Sequence, residues 1–170
     1  MVFSKFTVQC YTGFTMRSMH RRDREKSKEF AISITDKCTY AIMATTNDDG
    51  SPYCIPISIA REGEWLYFHC AKDGLKTENL RARNRICVTC VGDVKIIPRE
   101  FGLEYESAVI NGTAIEITDE EEMLRALVVI SRRFTPDDMD IFDKAIEKNF
   151  GKTSVWKIHI DEISGKARKL

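Results

Sequence analysis

The chain has 170 residues, with 26 lysines and arginines against 26 aspartates and glutamates, so its formal net charge is zero. This length favours one domain that can bury a core without disulfides or metal. The charge balance gives no overall electrostatic drive toward nucleic acid or an anionic membrane. The six cysteines lie mostly in apolar runs, no secretory signal is recognisable, and no uncharged run nears the ~18 apolar residues of a membrane span. We therefore expect a soluble, reduced, cytoplasmic protein.

The N-terminal part of the chain precedes the main patterns. Residues 1–16 are expected to be an extension, and a basic cluster, Arg17 to Arg24, follows. This cluster could bind nucleic acid. A solvated lead-in is favoured instead, because Asp23 and Glu25 interrupt it and no later basic run extends it.

Alternating and aromatic patterns predict a β-rich domain over residues 17–166, with residues 167–170 as a basic tail. The six predicted strands are Tyr40–Thr46, Tyr53–Ala60, Trp65–Cys70, Ile86–Val91, Tyr105–Ile117 and Val155–Ile163. Turn signals at Asn47–Gly50 and Arg61–Glu64 join the first three strands into an antiparallel meander. No strand is followed by a dinucleotide- or nucleotide-binding glycine motif, so a closed or nearly closed antiparallel barrel with accessory helices fits best.

Helical patterns lie before, between and after these strands. A short helix is predicted around Phe30 to Ile34, and another over Leu75 to Arg83 with its two leucines on one face. A capping box at Thr118–Glu121 opens a third helix, and Thr135-Pro136 opens a fourth. Gly112 is predicted to mark a bulge in a long strand.

The most informative stretch runs from Trp65 to Leu80, where an aromatic strand enters a basic turn and then a helix. Lys72, Gly74 and Lys76 lie where this helix begins. Backbone N–H groups at a helix N-terminus are unpaired and attract anions, and the two lysines add positive charge suited to a phosphate. The turn therefore predicts an anion site.

Pro56 interrupts an otherwise regular strand. Because proline lacks an N–H, this position must be an edge, a bulge or a place where a ligand lies alongside. Together with the basic turn, it suggests a flat phosphorylated cofactor, its phosphate near Lys72 to Lys76 and its ring across Cys54 to Ser58. His69 ends the strand before the turn, and either a structural or a functional role is open to it.

Other candidates are weaker. Cys87 and Cys90 form a C-x-x-C, but residues three apart on a strand point to opposite faces, so neither a zinc site nor a redox pair is expected. The remaining histidines, His20 and His159, are isolated, and His159 is expected on a polar strand face. No metal site is predicted.

Four motifs in order resemble one known family over roughly residues 16–166. They are Asp49-Gly-x-Pro-x-x-x-Pro56, Leu66-Tyr-Phe-His-x-Ala-x-x-Gly-x-Lys-x-x-x-Leu80, Tyr105-x-Ser-x-Val-x-x-Gly112 and Glu162-Ile-Ser-Gly-Lys166. This pattern resembles the FMN-binding split barrels related to pyridoxamine 5′-phosphate oxidase, and the Nim-type proteins of 5-nitroimidazole resistance most of all. The resemblance implies a six-stranded antiparallel barrel of Greek-key type and a homodimer with FMN at the subunit interface.

The resemblance also implies site residues. Lys76 would bind the phosphate, the strand end would pass alongside it, and the irregular strand would present backbone groups to the flavin ring. The full expected cofactor-binding set is Ile55, Pro56, Ile57, Phe68, His69, Cys70, Ala71, Lys72, Gly74, Lys76 and Ser107. His69 is the candidate catalytic residue.

Two departures bear on activity. Pyridoxamine phosphate oxidases carry an arginine directly before the phosphate lysine, where this chain has Leu75, and their C-terminal arginine and histidine signature is missing here. The first hypothesis is therefore an FMN-dependent oxidoreductase that passes electrons, from a nicotinamide or another donor, to a small acceptor such as a nitroimidazole. The alternative is a flavin- or heme-binding carrier or sensor without turnover. Neither hypothesis includes a nucleic-acid or membrane partner.

Overall fold

The computed structural model of the chain describes residues 18–169, so the predicted extension over residues 1–16 lies outside the described residues. The described part contains eight strands and four α-helices. The strands are β1 (Glu25–Lys26), β2 (Ala41–Thr46), β3 (Pro52–Ile57), β4 (Ala60–Glu62), β5 (Trp65–Ala71), β6 (Arg85–Ile97), β7 (Gly102–Ile117) and β8 (Thr153–Arg168). The α-helices are α1 (Lys28–Lys37), α2 (Leu75–Ala82), α3 (Glu120–Phe134) and α4 (Phe142–Asn149).

The strands form one antiparallel sheet in the order β3-β2-β6-β7-β8-β5-β4, with β1 paired to β8. All the strands of this path except β4 contribute to the main buried core, which includes Met43, Phe68, Val88, Ile110 and Ile158. Because one face of every long strand is apolar, the sheet curls around that core into a barrel that is split between β3 and β4. The mainly β split-barrel prediction is confirmed, with eight strands rather than six.

The predicted meander is wrong. Its second strand, Tyr53–Ala60, is in fact β3 and the start of β4, because Ile59 and Ala60 are both buried and break the alternation. The hairpins β2–β3 and β4–β5 lie at opposite ends of the sheet path. Pro56 pairs with Ile42 in the edge strand β3 without a register shift, which confirms the edge alternative.

The later strands are longer than predicted. β6 continues past Val91 to Ile97, and β8 continues past Ile163 to Arg168 because it pairs with β7 that far. A bulge does lie beside Gly112, but its extra residue is in β8 and not in the predicted strand: Asn111 pairs with Glu162 and Gly112 with Ile160, which leaves Asp161 unpaired in the ladder. A Cβ on Gly112 would lie 2.5 Å from the carbonyl oxygen of His159, so only glycine fits there.

Helices cover two parts of the barrel. α1 packs Ala31 and Ile34 into the core, and α3 builds a second apolar cluster against β4, β5 and β8. The cap of α3 is Asp119, whose carboxylate accepts from the Glu122 N–H at 2.8 Å, so the predicted Thr118 cap is wrong. A 3₁₀ turn over Pro136–Ile141 precedes α4. Among the described residues, no helix is both long and apolar enough to cross a membrane.

Candidate functional site

The end of β5 and the start of α2 form the basic turn that the sequence singles out. β5 ends at Ala71, and the chain passes through Lys72 and Gly74 into Leu75, the first residue of α2. Gly74 has φ +131°, a conformation that L side chains rarely adopt, and a Cβ there would meet open space. Within residues 18–169 no side chain caps α2, which leaves its first backbone N–H groups open to a ligand there.

Lys76 lies in the first turn of α2 and is half-buried. Its Nζ lies 5.8 Å from the centroid of the Phe68 ring, a cation–π contact. Among residues 18–169 no carboxylate forms an ion pair with this ammonium group. Within the described part of the chain, the turn therefore presents Lys76 without a neutralising carboxylate.

This charge acts on the neighbouring residues of β5. Burial by surrounding protein atoms, and then the charge of Lys76, lower the pKa of His69 from its usual 6.5, although part of the ring is exposed. Burial raises the pKa of the Cys70 thiol, which Lys76 opposes. At neutral pH the imidazole is therefore neutral and the thiol is protonated. A neutral imidazole offers one hydrogen-bond donor and one acceptor.

The side chain of Asn79 anchors α2 to the β2–β3 hairpin. Its buried Nδ2 donates to the hydroxyl of Thr45 at 3.2 Å and to Oδ1 of Asn47 at 2.7 Å. The sequence suggested a helix face built on Leu75 and Leu80, but Leu75 is exposed. Sequence reasoning missed the role of Asn79, and its only signal was a polar residue beside a buried leucine.

A second network fixes the turn from the other side. Arg81 donates to the Lys72 carbonyl at 3.1 Å and to both carboxylate oxygens of Glu116 at 2.8 and 2.6 Å. Glu116 accepts from the Ser154 hydroxyl at 2.8 Å, which itself accepts from the Trp156 indole at 2.9 Å. Hydrogen bonding to Arg81 lowers the pKa of Glu116. The backbone of the turn is thus held by an ionised pair that the sequence did not reveal.

The other predicted site residues lie in two places. The Ile55 and Ile57 side chains pack toward the core, whereas Pro56 is exposed on the outer side of β3. α2 joins this hairpin to the basic turn through Asn79. Ser107 lies apart in β7, three strands from β3 in the sheet, and its hydroxyl donates to the Lys166 carbonyl at 3.4 Å. A single chain does not bring Ser107 to the turn.

The alternative sites are not supported by the described residues. Cys90 is buried and Cys87 lies on the opposite face of β6, as the strand pattern predicts. Within residues 18–169 no cluster of potential metal ligands is found. His159 contacts Asp161 at 2.7 Å on a polar face. In the basic lead-in, Arg21 donates to the carboxylate of Asp23 at 2.8 and 2.5 Å, which reduces its free charge.

Comparison with known structures finds the same fold in several proteins. A candidate 5-nitroimidazole antibiotic resistance protein from Bacteroides thetaiotaomicron is 29% identical, with 84% of each chain covered and a TM-score of 0.71. The flavocytochrome Anf3 from Azotobacter vinelandii is 23% identical over 90% of this chain and 73% of its own, with a TM-score of 0.76. The FAD and heme binding protein from Mycobacterium smegmatis is 23% identical over 86% and 74%, with a TM-score of 0.70.

Sequence comparisons give one family. No curated protein sequence matches the chain. A family model described as pyridoxamine 5′-phosphate oxidase matches residues 33–167, which include the whole barrel from β2 almost to the end of β8. The match covers the basic turn, α2 and the edge strand β3 together. The chain therefore belongs to the pyridoxamine 5′-phosphate oxidase family of split barrels.

Proposed function

We propose that this protein binds FMN at the junction of β5 and α2 and uses it to pass electrons to a small acceptor. The observation that carries the proposal is Lys76, an ammonium group without a carboxylate partner among the described residues, in the first turn of an uncapped helix. A lysine at a helix N-terminus favours the binding of an anion. A terminal phosphate provides one.

The donors of the turn fit a phosphate group. The backbone N–H groups at the start of α2 lie just after the end of β5, and Lys72 and Lys76 supply positive charge on either side of Gly74. Gly74 leaves open space where a side chain would stand, so an anion can approach the backbone closely. Leu75 takes the place of a family arginine and contributes no charge, so the affinity depends mainly on Lys76.

The ring of a flavin would lie along β3. This strand is at the edge of the sheet, so the backbone of Ile55, Pro56 and Ile57 has an outer side free of a partner strand within the described chain. Asn79 fixes the distance between that edge and the phosphate turn. When bound, the flavin supplies the hydride and electron chemistry. The protein positions it and excludes water around it.

His69 is the residue that we propose acts on the bound cofactor or its substrate. It projects from β5 directly before the phosphate turn, beside Cys70 and Ala71. Because its pKa is lowered, the ring is neutral at pH 7 and can donate or accept one proton at Nε2 or Nδ1. A phosphate dianion near Lys76 would offset the lysine charge and raise this pKa again.

We also propose a homodimer with the flavin at the subunit interface. The outer face of β2, β6 and β7 supports the dimer. Since α1 packs against the other side of the sheet, this helix leaves the outer face uncovered. This outer face carries half-exposed residues without charge, among them Ile42, Ala44, Thr89, Val109 and Ser107. Such a face resembles an interface more than a solvated surface. Ser107 would reach a flavin only across this interface.

Turnover tests the electron-transfer part of the proposal. Protein loaded with FMN should be reduced by a nicotinamide donor and reoxidised by a nitroimidazole under anaerobic conditions. The control is the same concentration of free FMN, because free flavin also reduces nitroaromatics. Steady-state reduction that is no faster than with free FMN would contradict an oxidoreductase and leave a carrier or sensor.

The carrier alternative includes heme. His69 favours it, because a neutral, partly exposed imidazole is the form that ligates iron. Protein mixed with hemin and desalted should then show a Soret band that His69→Ala abolishes, while a control, His20→Ala, keeps it. Absence of a Soret band would leave flavin as the cofactor.

A further inference from the structure

The end of the β6–β7 hairpin projects beyond its neighbours in the sheet. β2 pairs with β6 only as far as Ala41 opposite Cys90, and β8 pairs with β7 only as far as Arg168 opposite Tyr105. Residues 94–104, which we name the arm, therefore form a two-stranded ribbon within the described chain. A two-stranded hairpin in water is marginally stable unless something packs against it.

One face of the arm is apolar and exposed. Val94 lies opposite Tyr105, and Ile96 lies opposite Leu103, so these side chains share a face. Ile96 is 72% exposed, and Val94 and Leu103 are about half exposed. Val91 extends the strip toward the outer face of the sheet. This strip contains no charged side chain.

The other face is charged and already in contact with the chain. Lys95 lies opposite Glu104 on that side. The Arg168 guanidinium lies 2.9 Å from where a Cβ on Gly102 would stand, so the end of β8 contacts this face. On the apolar face, Arg24 and Lys166 contact Tyr105 at the base of the arm, whereas Ile96 and Leu103 stay exposed within residues 18–169.

The tip of the arm combines exposure with backbone strain. Phe101 is fully exposed. Both Arg99, with φ +69°, and Phe101, with φ +45°, occupy the left-handed region although neither is glycine. Such conformations are unfavourable for residues with side chains and cluster at functional sites. The turn holds an aromatic side chain outward into solvent.

We propose that the arm packs against a second copy of this chain, with Phe101 inserted into the partner protomer. Because Ile96, Leu103 and Phe101, the outer part of the strip, carry no charge, two copies can meet there without like-charge repulsion. A fully exposed phenylalanine presents about 200 Å², and with the aliphatic side chains the strip reaches roughly 500 Å². Two arms related by a two-fold axis would bury about 1,000 Å², the lower range of a specific interface. The strip is also continuous with the half-exposed, uncharged residues Thr89 and Val109 on the outer face of β6 and β7. This inference rests on the proposed dimer and names the contact that stabilises it.

The test is the dimer dissociation constant measured by sedimentation equilibrium for Ile96→Asp and Phe101→Ala. Each substitution should raise this constant roughly 30-fold or more, as expected for an anchor residue. The matched control is Lys95→Asp, which places a larger charge change on the next residue but on the covered face, opposite Glu104. It should leave the constant within about 3-fold.

The outcomes separate the arm from the flavin site. Far-ultraviolet circular dichroism and thermal unfolding show whether each variant is folded, and Phe101→Ala removes a side chain that contacts only solvent in one chain. A wild-type dimer whose constant is unchanged in both variants would overturn the arm proposal, as would a wild-type monomer. Flavin retention is measured separately, at protein concentrations above the raised dimer dissociation constant, so that every variant is dimeric in that assay. An arm effect without retained flavin would refute the proposed function and leave the arm contact standing.

Discussion

Replacement of Lys76 by alanine tests the phosphate site most sharply. Its ammonium group lies 5.8 Å from the centroid of the Phe68 ring and forms no ion pair with a carboxylate of the described residues. A cation–π contact at an exposed position contributes about 0.5–1 kcal/mol. Lys76→Ala should therefore lower the free energy of unfolding by about 1 kcal/mol at most. The variant stays folded, so a loss of FMN affinity greater than this reports on the lost contact with the ligand.

The expected loss of FMN affinity follows from the bond that the lysine would make. A charged hydrogen bond to phosphate contributes about 1.5–3 kcal/mol. Because about 1.4 kcal/mol corresponds to a tenfold change, the dissociation constant for FMN should rise roughly 10- to 150-fold. Riboflavin lacks the phosphate, so its dissociation constant should be nearly the same for both proteins.

The assay is a fluorescence titration of apoprotein with each flavin at fixed ionic strength. Lys76→Arg should retain much of the FMN affinity because it keeps the charge. The control is Lys144→Ala, an exposed lysine of α4 far along the chain, and it should bind FMN as the wild type does. Unchanged FMN binding by Lys76→Ala, or an equal loss for FMN and riboflavin, would refute this site.

Three further predictions concern the support of the turn. Asn79→Leu removes two side-chain hydrogen bonds and should lower the free energy of unfolding, measured in urea, by roughly 1–3 kcal/mol. The control is Glu78→Ala, on the exposed side of the same helix, which should change this free energy by less than about 0.5 kcal/mol. Gly74→Ala places a side chain at φ +131°, so it should destabilise the fold by about 1 kcal/mol or more and weaken FMN binding, although no neighbouring atom blocks the new Cβ. Wild-type FMN affinity in this variant would contradict the prediction. His69 should titrate below pH 6.5 by NMR, and at a higher pH in Lys76→Ala. Since the unfolded chain takes up this proton first, stability should fall as pH drops below about 6.5. A midpoint at or above 6.5 in the wild type would contradict the last prediction.

Local patterns predicted the elements of the site but not how the strands pair. The apolar run from Trp65 to Cys70, the turn at Gly74 and the helix after it are visible because each depends on neighbours in sequence. Strand order is different, since alternation at Tyr53–Ala60 fits one strand as well as two. Burial of both Ile59 and Ala60 separates β3 from β4, and that burial depends on which distant strand each contacts.

Residues that fix the site across long distances could not be predicted. Asn79 bonds to residues more than 30 positions earlier, and Arg81 bonds to Glu116 at a similar separation. The arm was missed for a related reason, because the bulge between Val91 and Val94 breaks the strand period. Phe101 attracted no attention in the sequence, since its exposure exists only in the folded chain.

A visible absorption spectrum shows whether this family member holds FMN. Purified protein is incubated with excess FMN, desalted and scanned. We expect the two flavin bands to be retained in stoichiometric amount, and Lys76→Ala to lose them on the same column. A folded wild-type protein that elutes without flavin would refute FMN binding at this site.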